Sequence, residues 1–338
     1  MLITDLAPEL VVTPNRVSEL NAKFPPSDLP FYRKLGRTDL TVSCLGLGGG
    51  SGISSEDTLY AFEQGINYFF FSSDLHHFLY SKMSDALRQL CGRGSLEREN
   101  VILATVSYNK SPEMALAALF DQFHELKIDY IDVFFWGWIG TDDAPRFKDC
   151  MELSHDLRGS NSVYQRKIEQ WFGISERLKK MGAVRYIGAS FHDLDLARQW
   201  LNSPLLDVVM VRHNLAHRNA QSKVFKDVEV QDPQRAGIVT FKSAGMHTFL
   251  SNAPAQLPKD CWRPSVPDLY RYSLSQNGVD VCLTGMKRRQ EIDAAIAGVQ
   301  KGKLTPAELD YLNLYGDLHR KRLKIQDVPR DRLLYQTV

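Results

Sequence analysis

Two hydrophobic rhythms alternate along the chain. From Phe31 onward, short apolar runs are separated by stretches in which apolar residues recur every three or four positions, the signature of strands joined by helices. The runs are Val42–Leu47, Tyr68–Phe71, Val101–Val106, Ile131–Trp136, Val184–Ala189, Val208–Val211, Ile238–Phe241 and Val279–Leu283. Most carry apolar side chains at successive positions, as strands buried on both faces do. Helix signals lie between them. Ser54 or Ser55, followed by Glu56 and Asp57, caps one start with acids at its positive end. Ser111-Pro112-Glu113 opens a helix predicted to bury Leu116, Leu119, Phe120 and Phe123. Trp171, Ile174, Leu178 and Met181 form a stripe that stops at Gly182, and Thr305 to Glu308 is a capping box. Eight strands with a helix in most gaps favour a closed (β/α)8 TIM barrel of the α/β class over an open doubly wound sheet.

The rhythm divides the chain into an N-terminal extension (1–30), the barrel (31–325) and a C-terminal tail (326–338). Pro8, Pro14, Pro25, Pro26 and Pro30 punctuate the extension, which lacks sustained periodicity. The longest gap follows the fourth strand; Gly140 to Ser162 is polar and reads as an insertion over the barrel mouth.

Length and composition fit this architecture. A chain of 338 residues, 43% of them apolar, buries a large core. The formal charge of +1 gives no bulk attraction to nucleic acid or an anionic membrane. Five widely spaced cysteines with no C-x-x-C argue against a disulfide framework or zinc knuckle. The start of the chain lacks a signal-peptide pattern, and the apolar stretch Ile131 to Ile139 is too short to span a bilayer. A soluble, cytoplasmic protein is expected.

Several motifs carry a resemblance. Tyr32 to Thr38 and Thr41 to Gly48 resemble the N-terminal hairpin and first barrel strand of the aldo-keto reductase superfamily. Gly65-Ile66-Asn67-Tyr68-Phe69 resembles the entry to its second strand, and Gly182 to Ser190 its G-K-V-R-x-I-G-x-S run. Leu283 to Arg288 stands where that family grips its nucleotide. The resemblance covers about residues 31 to 320 and implies the same barrel, with an N-terminal hairpin and a C-terminal helical segment. A G-x-G-x-x-G fingerprint is absent.

The family reduces carbonyls with a Tyr acid, a Lys that lowers its pKa, an Asp that holds the Lys and a His that orients the carbonyl. Counted from the motifs, those positions hold Leu75, Val106, Phe70 and Gly137. None of these side chains supplies a proton, a charge or a hydrogen bond. Loss of a general acid alone typically costs about 10²–10⁴-fold in rate. The resemblance implies NADP(H) held by Ser190, Met210, Ser243, Lys287 and Arg288, with no metal. Met210 replaces a Gln, Phe191 an Asn, and Lys242 stands where an aromatic often stacks. Basic residues at a helix start oppose the helix dipole, which an anionic ligand would relieve.

Replacement chemistry has four candidates. With one residue inserted after the second strand, Phe71 takes the Asp position and His76 the Tyr position, with Asp74 to orient it. A one-residue slip reverses which side chains face the barrel, so the two alignments make opposite predictions. His213, at the end of the sixth strand, is the second candidate for pointing into the mouth, and Lys242 the third, as a lysine against an apolar wall. Asp74, His76, His77, His213 and His217 lack metal-ligand spacing, and Trp138 is a candidate pocket wall. Three functions follow: a nonstandard NADP(H)-dependent oxidoreductase acting on a small carbonyl-type or apolar ligand in the barrel mouth; a silent pseudoenzyme serving as nucleotide sensor or scaffold for a partner protein; or a non-redox cyclase or isomerase.

Overall fold

Eight parallel strands close into a barrel in a computed structural model of the chain. The structure describes residues 23–24, 26–109, 111–139, 163–226, 228–245, 254, 257–322 and 324–335. The insertion expected at Gly140 to Ser162, and most of the N-terminal extension, lie outside these residues. The run expected as one strand from Val42 divides at Cys44. Strands β1 (Tyr32–Lys34) and β2 (Thr41–Ser43) form an antiparallel hairpin, and β3 (Leu45–Gly48) opens the barrel. The remaining barrel strands are β4 (Tyr68–Phe71), β5 (Ile102–Ser107), β6 (Ile131–Ile139), β7 (Val184–Phe191), β8 (Val208–Arg212), β9 (Gly237–Phe241) and β10 (Val281–Thr284), which pairs back onto β3.

Helices cover the strands. They are α1 (Ser55–Glu63), α2 (His77–Tyr80), α3 (Ser84–Cys91), α4 (Pro112–Leu126), α5 (Val163–Lys180), α6 (Leu194–Leu201), α7 (Val266–Leu274), α8 (Arg289–Val299) and α9 (Pro306–His319). Ser54 caps α1, Ser111 caps α4, and the capping box of α9 forms as its sequence predicts. Of the expected α4 stripe, Leu119 is buried and Leu116 and Phe123 pack against the core, while Phe120 is exposed; Ala115, Ala118 and Leu126 are buried beside them. The small alanines let α4 sit closer to the strands than a face of large residues would.

The lower rim is closed by a repeated device. Every second barrel strand carries a buried acceptor at its start that takes a backbone N–H from the strand before it or, for Asn67, from hairpin strand β2. Asn67 accepts from Ser43 at 2.7 Å, and Asp132 from Leu103, Asp207 from Ile187 and Asp280 from Ile238 at 2.9 Å. Cations complete the carboxylates: Arg98 and Arg185 at Asp132, Lys179 at Asp207 and Arg235 at Asp280. The hairpin and the residues before it seal this end. Phe24 stacks on Phe31 at 3.9 Å, and the Tyr32 hydroxyl donates to the Gly65 carbonyl. The last residues also pack, with the Trp262 N–H bonded to the Leu334 carbonyl and Leu333 buried.

The four described cysteines are buried and unbridged, and burial raises the Cys44, Cys91 and Cys282 thiols. No helix among the described residues is long and apolar enough to cross a membrane.

Candidate active site

Strand pairing decides which side chains enter the barrel. A Cβ built on Gly188 would meet the Phe135 ring at 2.5 Å, so these paired residues face the same interior. Following partners around the sheet, Tyr68, Phe70, Ala104, Val106, Val133, Phe135 and Gly137 share that lumen face. Phe69 faces outward, towards Phe62 on α1, and Phe71 meets His77 and Tyr80 from the helix α2. The residue in the lumen at the end of β4 is thus Phe70, packed 6.1 Å from Phe135. An apolar plug fills this part of the barrel.

Above the plug lies a pair of phenols. Tyr80 ends α2, and its ring packs on Phe70 and Phe71 at 6.4 and 6.0 Å. Its hydroxyl lies 3.0 Å from where a Gly50 Cβ would stand, so the glycine loop after β3 makes room for it. Tyr108, just past β5, is hydrogen-bonded to Tyr80. Burial pushes the Tyr80 hydroxyl up to about 12, against the favourable bond from Tyr108 and with the Asp74 charge nearby. Burial, then Tyr80 and Asp74, raise Tyr108 as well.

Tyr108 occupies space that a larger residue at Gly137 would need. A Cβ there would sit 2.5 Å from the Tyr108 ring and 2.8 Å from the Ser107 carbonyl. Beyond Gly137 the chain turns sharply: Trp138 has φ 56°, and its N–H donates to the Ser190 hydroxyl at 3.0 Å. The Trp138 ring stands 4.6 Å from Tyr108 and 6.4 Å from His192, which in turn is 6.5 Å from Phe241. Tyr80 from α2, with Tyr108, Trp138, His192 and Phe241 from the ends of β5, β6, β7 and β9, forms an aromatic collar where barrel chemistry is ordinarily placed.

The other expected residues divide between mouth and core. Asp74 accepts five hydrogen bonds, from Ser72, the Leu75 N–H, Ser107, the Tyr108 N–H and Asn109, tying the β4 loop to the end of β5. His76 is not among its partners; it is exposed, at φ 58°, with its ring 6.2 Å from Phe78. His213 does not point into the mouth. Successive residues of a strand alternate in direction, so with Met210 and Arg212 on the lumen side, His213 enters the helix layer. There it is fully buried, stacks on Tyr272 at 5.1 Å and meets the Ser273 hydroxyl at 3.0 Å. Burial, then Arg218, pull it down to about 3.

Met210 is buried beside Ser190 in the register, and Ser243 is buried and bonded to Ser273. Lys242, exposed at φ 56°, accepts at its carbonyl from Asn214. Lys287 and Arg288 are exposed at the start of α8, whose first turn lacks a side-chain cap. His77 pairs with Glu125 at 2.8 Å, and no group of metal-ligating side chains occurs among the described residues.

Tyr108 and Arg212 were missed in the sequence, although strand parity marks both, each lying two positions beyond a lumen residue. Nothing in the local pattern marked Tyr80, which arrives from a short helix.

Two outcomes follow from these contacts. Gly137→Ala is expected to cost about 1–3 kcal/mol of stability by urea unfolding, because Tyr108 must move. In a Tyr108→Ala background most of that cost should vanish; an undiminished cost would place the clash elsewhere. His213 sets an acid dependence. Its folded-state pKa of about 3 lies below the ordinary 6.5, so the unfolded chain binds a proton that the folded chain refuses. Stability falls as pH drops from 6.5 towards 3, by about 1.4 kcal/mol per pH unit for this one proton. Urea midpoints of His213→Asn should fall less steeply than wild type over that range, and parallel curves would contradict the assignment.

Comparison with known proteins supports the fold. The structure resembles the holo form of the aldo-keto reductase AKR11C1 from Bacillus halodurans, with TM-score 0.62 and 21% identity over 89% of this chain and 99% of that one. It also resembles the thermostable aldo-keto reductase Tm1743 in complex with the inhibitor epalrestat, with TM-score 0.59 and 15% identity over 84% and 99% of the two chains. No curated protein matches by sequence. The model of the Aldo/keto reductase family matches residues 55–250, more than half of the 338 residues, and the chain belongs to that family.

Proposed function

We propose that this chain binds NADP(H) and carries out a reductase step in which a mouth phenol, rather than a residue at 70, 75, 106 or 137, holds the proton. The observation that carries this reading is the Tyr80–Tyr108 hydroxyl pair above the Phe70–Phe135 plug. Tyr80 hydrogen-bonds to Tyr108 and packs on the residue at the Asp position. With Val106 in place of a cation, only the bond from Tyr108 opposes burial, so the phenol stays protonated at neutral pH and serves as donor.

The cofactor reading rests on charge and on family membership. Lys287 and Arg288 oppose the positive end of α8, a cost of about 0.3–1 kcal/mol each that a phosphate at the same turn reverses. The Ser190 hydroxyl accepts from Trp138 and keeps its own proton to donate to a carboxamide. The neighbouring Bacillus protein has a holo form. When bound, the nicotinamide would supply the hydride; the chain contributes orientation by the aromatic collar and a proton at the Tyr80 oxygen. Lys242 remains a candidate contact, and the exposed His76 the alternative donor. The raised phenol also favours a second reading, a nucleotide-binding protein of the same fold without turnover.

Titration of the full-length protein with NADPH and NADP+, followed by cofactor fluorescence, separates these readings. Saturable binding is expected, weakened at least about tenfold by Lys287→Glu with Arg288→Glu, each of which suits the helix start better than the wild-type cation. With a panel of aldehydes and ketones, Tyr80→Phe should lower kcat by about 10²–10⁴ while KM changes little. No binding at all sinks the redox reading; tight binding without turnover selects the second; an unchanged kcat removes Tyr80 as donor.

A further inference from the structure

Beside the collar, the barrel mouth holds a cleft of about 170 Å³ lined by His192, Arg212, Ala216, His217, Asn219 and Arg322. Three separate parts of the chain meet there: the ends of β7 and β8, the loop after β8, and the segment after α9. Arg212 and Phe241 are cross-strand partners, so the guanidinium leaves the rim on the same side as the collar. His192 belongs to both collar and cleft.

The charge at the cleft is one-sided. Arg212, Lys242, Arg320 and Arg322 all act electrostatically on His217. Arg212 has no ion pair among the described residues. The nearby acid, Asp317, is held by Arg218 at 2.6 Å and reaches Arg322 only at 3.6 Å. Arg322 is steadied instead by the Ala216 carbonyl at 3.5 Å. Gathering four like charges around one acid that is already shared with Arg218 is unfavourable, and forked guanidiniums fit carboxylate or phosphate oxygens in pairs.

His217 is arranged to complete such a site. The Asn214 side-chain oxygen lies 3.1 Å from its Nδ1, and an amide oxygen can only accept, so Nδ1 carries a proton. Nε2 is left for the cleft. Asn214 is itself fixed by its bond to the Lys242 carbonyl at 2.9 Å. Burial first, then the four cations, hold His217 below its ordinary value. An anion arriving among them would reverse the second effect and favour a second ring proton, adding a donor.

We infer that this cleft binds the anionic group, a carboxylate or a phosphate, of a small substrate whose other end sits in the aromatic collar. The inference deepens the reductase reading and rests on it for the identity of the collar's occupant, but the anion site is testable alone.

The test follows the His217 ring resonances of the full-length protein by NMR, assigned with His217→Gln, at low ionic strength. Inorganic phosphate and succinate are titrated separately, the groups facing the ring being His192, Arg212, Lys242, Arg320, Arg322 and Asp317. Saturable binding that raises the His217 titration midpoint is expected for at least one probe, and the tighter probe names the anion. Arg212→Gln and Arg322→Gln should each weaken it by roughly tenfold or more, whereas Lys34→Glu, on the exposed hairpin at the other end of the barrel, should leave it unchanged. Absence of a saturable shift with both probes, or binding indifferent to Arg212 and Arg322, overturns the inference. NADPH titration of the same wild-type sample keeps the two proposals apart: anion binding without NADPH binding retains the cleft and removes the reductase.

Discussion

Asp132, Asp207 and Asp280, with Asn67, hold the barrel in register from below, and the arrangement of the mouth depends on that grip. Each accepts a backbone N–H from a neighbouring strand; the carboxylates are also met by cations, and the Asn67 side-chain amide N–H donates to the Thr41 carbonyl of the hairpin. Removing one partner of such a buried pair ordinarily costs about 3–5 kcal/mol, so a register slip that broke the set would be strongly disfavoured. With register fixed at the lower rim, parity along each strand is fixed too. Phe70, Val106 and Gly137 must then face the lumen, and Val211 and His213 must face the helices.

The upper rim is organised by competition for space. Gly137 and Tyr108 are one structural choice, since any β-carbon at 137 would meet the Tyr108 ring. Tyr108 in turn supports Trp138 and bonds to Tyr80, while Asp74 fastens both loops through the backbone and side chains of Ser107, Tyr108 and Asn109. Apolar residues at 70 and 106 provide the floor on which these rings rest. Phe70, Val106 and Gly137 are therefore part of a packed, mutually dependent set. Three of the non-glycine residues with positive φ, His76, Trp138 and Lys242, lie in the loops of this same rim. Backbone strain of that kind concentrates where geometry is held for function.

Most of the barrel was legible because buried parallel strands write continuous apolar runs and helix starts write their caps. Phe31 as the start, the eight strands and the capping of α1, α4 and α9 all follow from local chemistry. Periodicity placed Leu116, Leu119 and Phe123 of α4 against the core but misjudged Phe120, because the buried face is centred on Ala115, Ala118 and Leu119. His213 was assigned to the mouth from its position at a strand end, although one residue decides the facing direction. Arg322 joins Arg212 across the fold from the segment after α9, and Tyr80 enters from a four-residue helix. No pattern within a single strand or helix encodes either meeting.

For the proposed reductase step, a phenol at about 12 constrains which direction of chemistry the collar would support. At neutral pH such a group is almost wholly protonated, with about one molecule in 10⁵ ionised. As an acid it is always ready, and transfer to an alkoxide remains downhill. As a base it is almost always in the wrong state, so alcohol oxidation would rise with pH through the alkaline range while carbonyl reduction stayed flat. A lysine at Val106 would bring the phenol towards neutrality and serve both directions; it would also put an ammonium group beneath Tyr108 and on the apolar floor. The packing that builds the collar and the chemistry of a two-way catalyst are thus in conflict at one residue, and this chain keeps the packing.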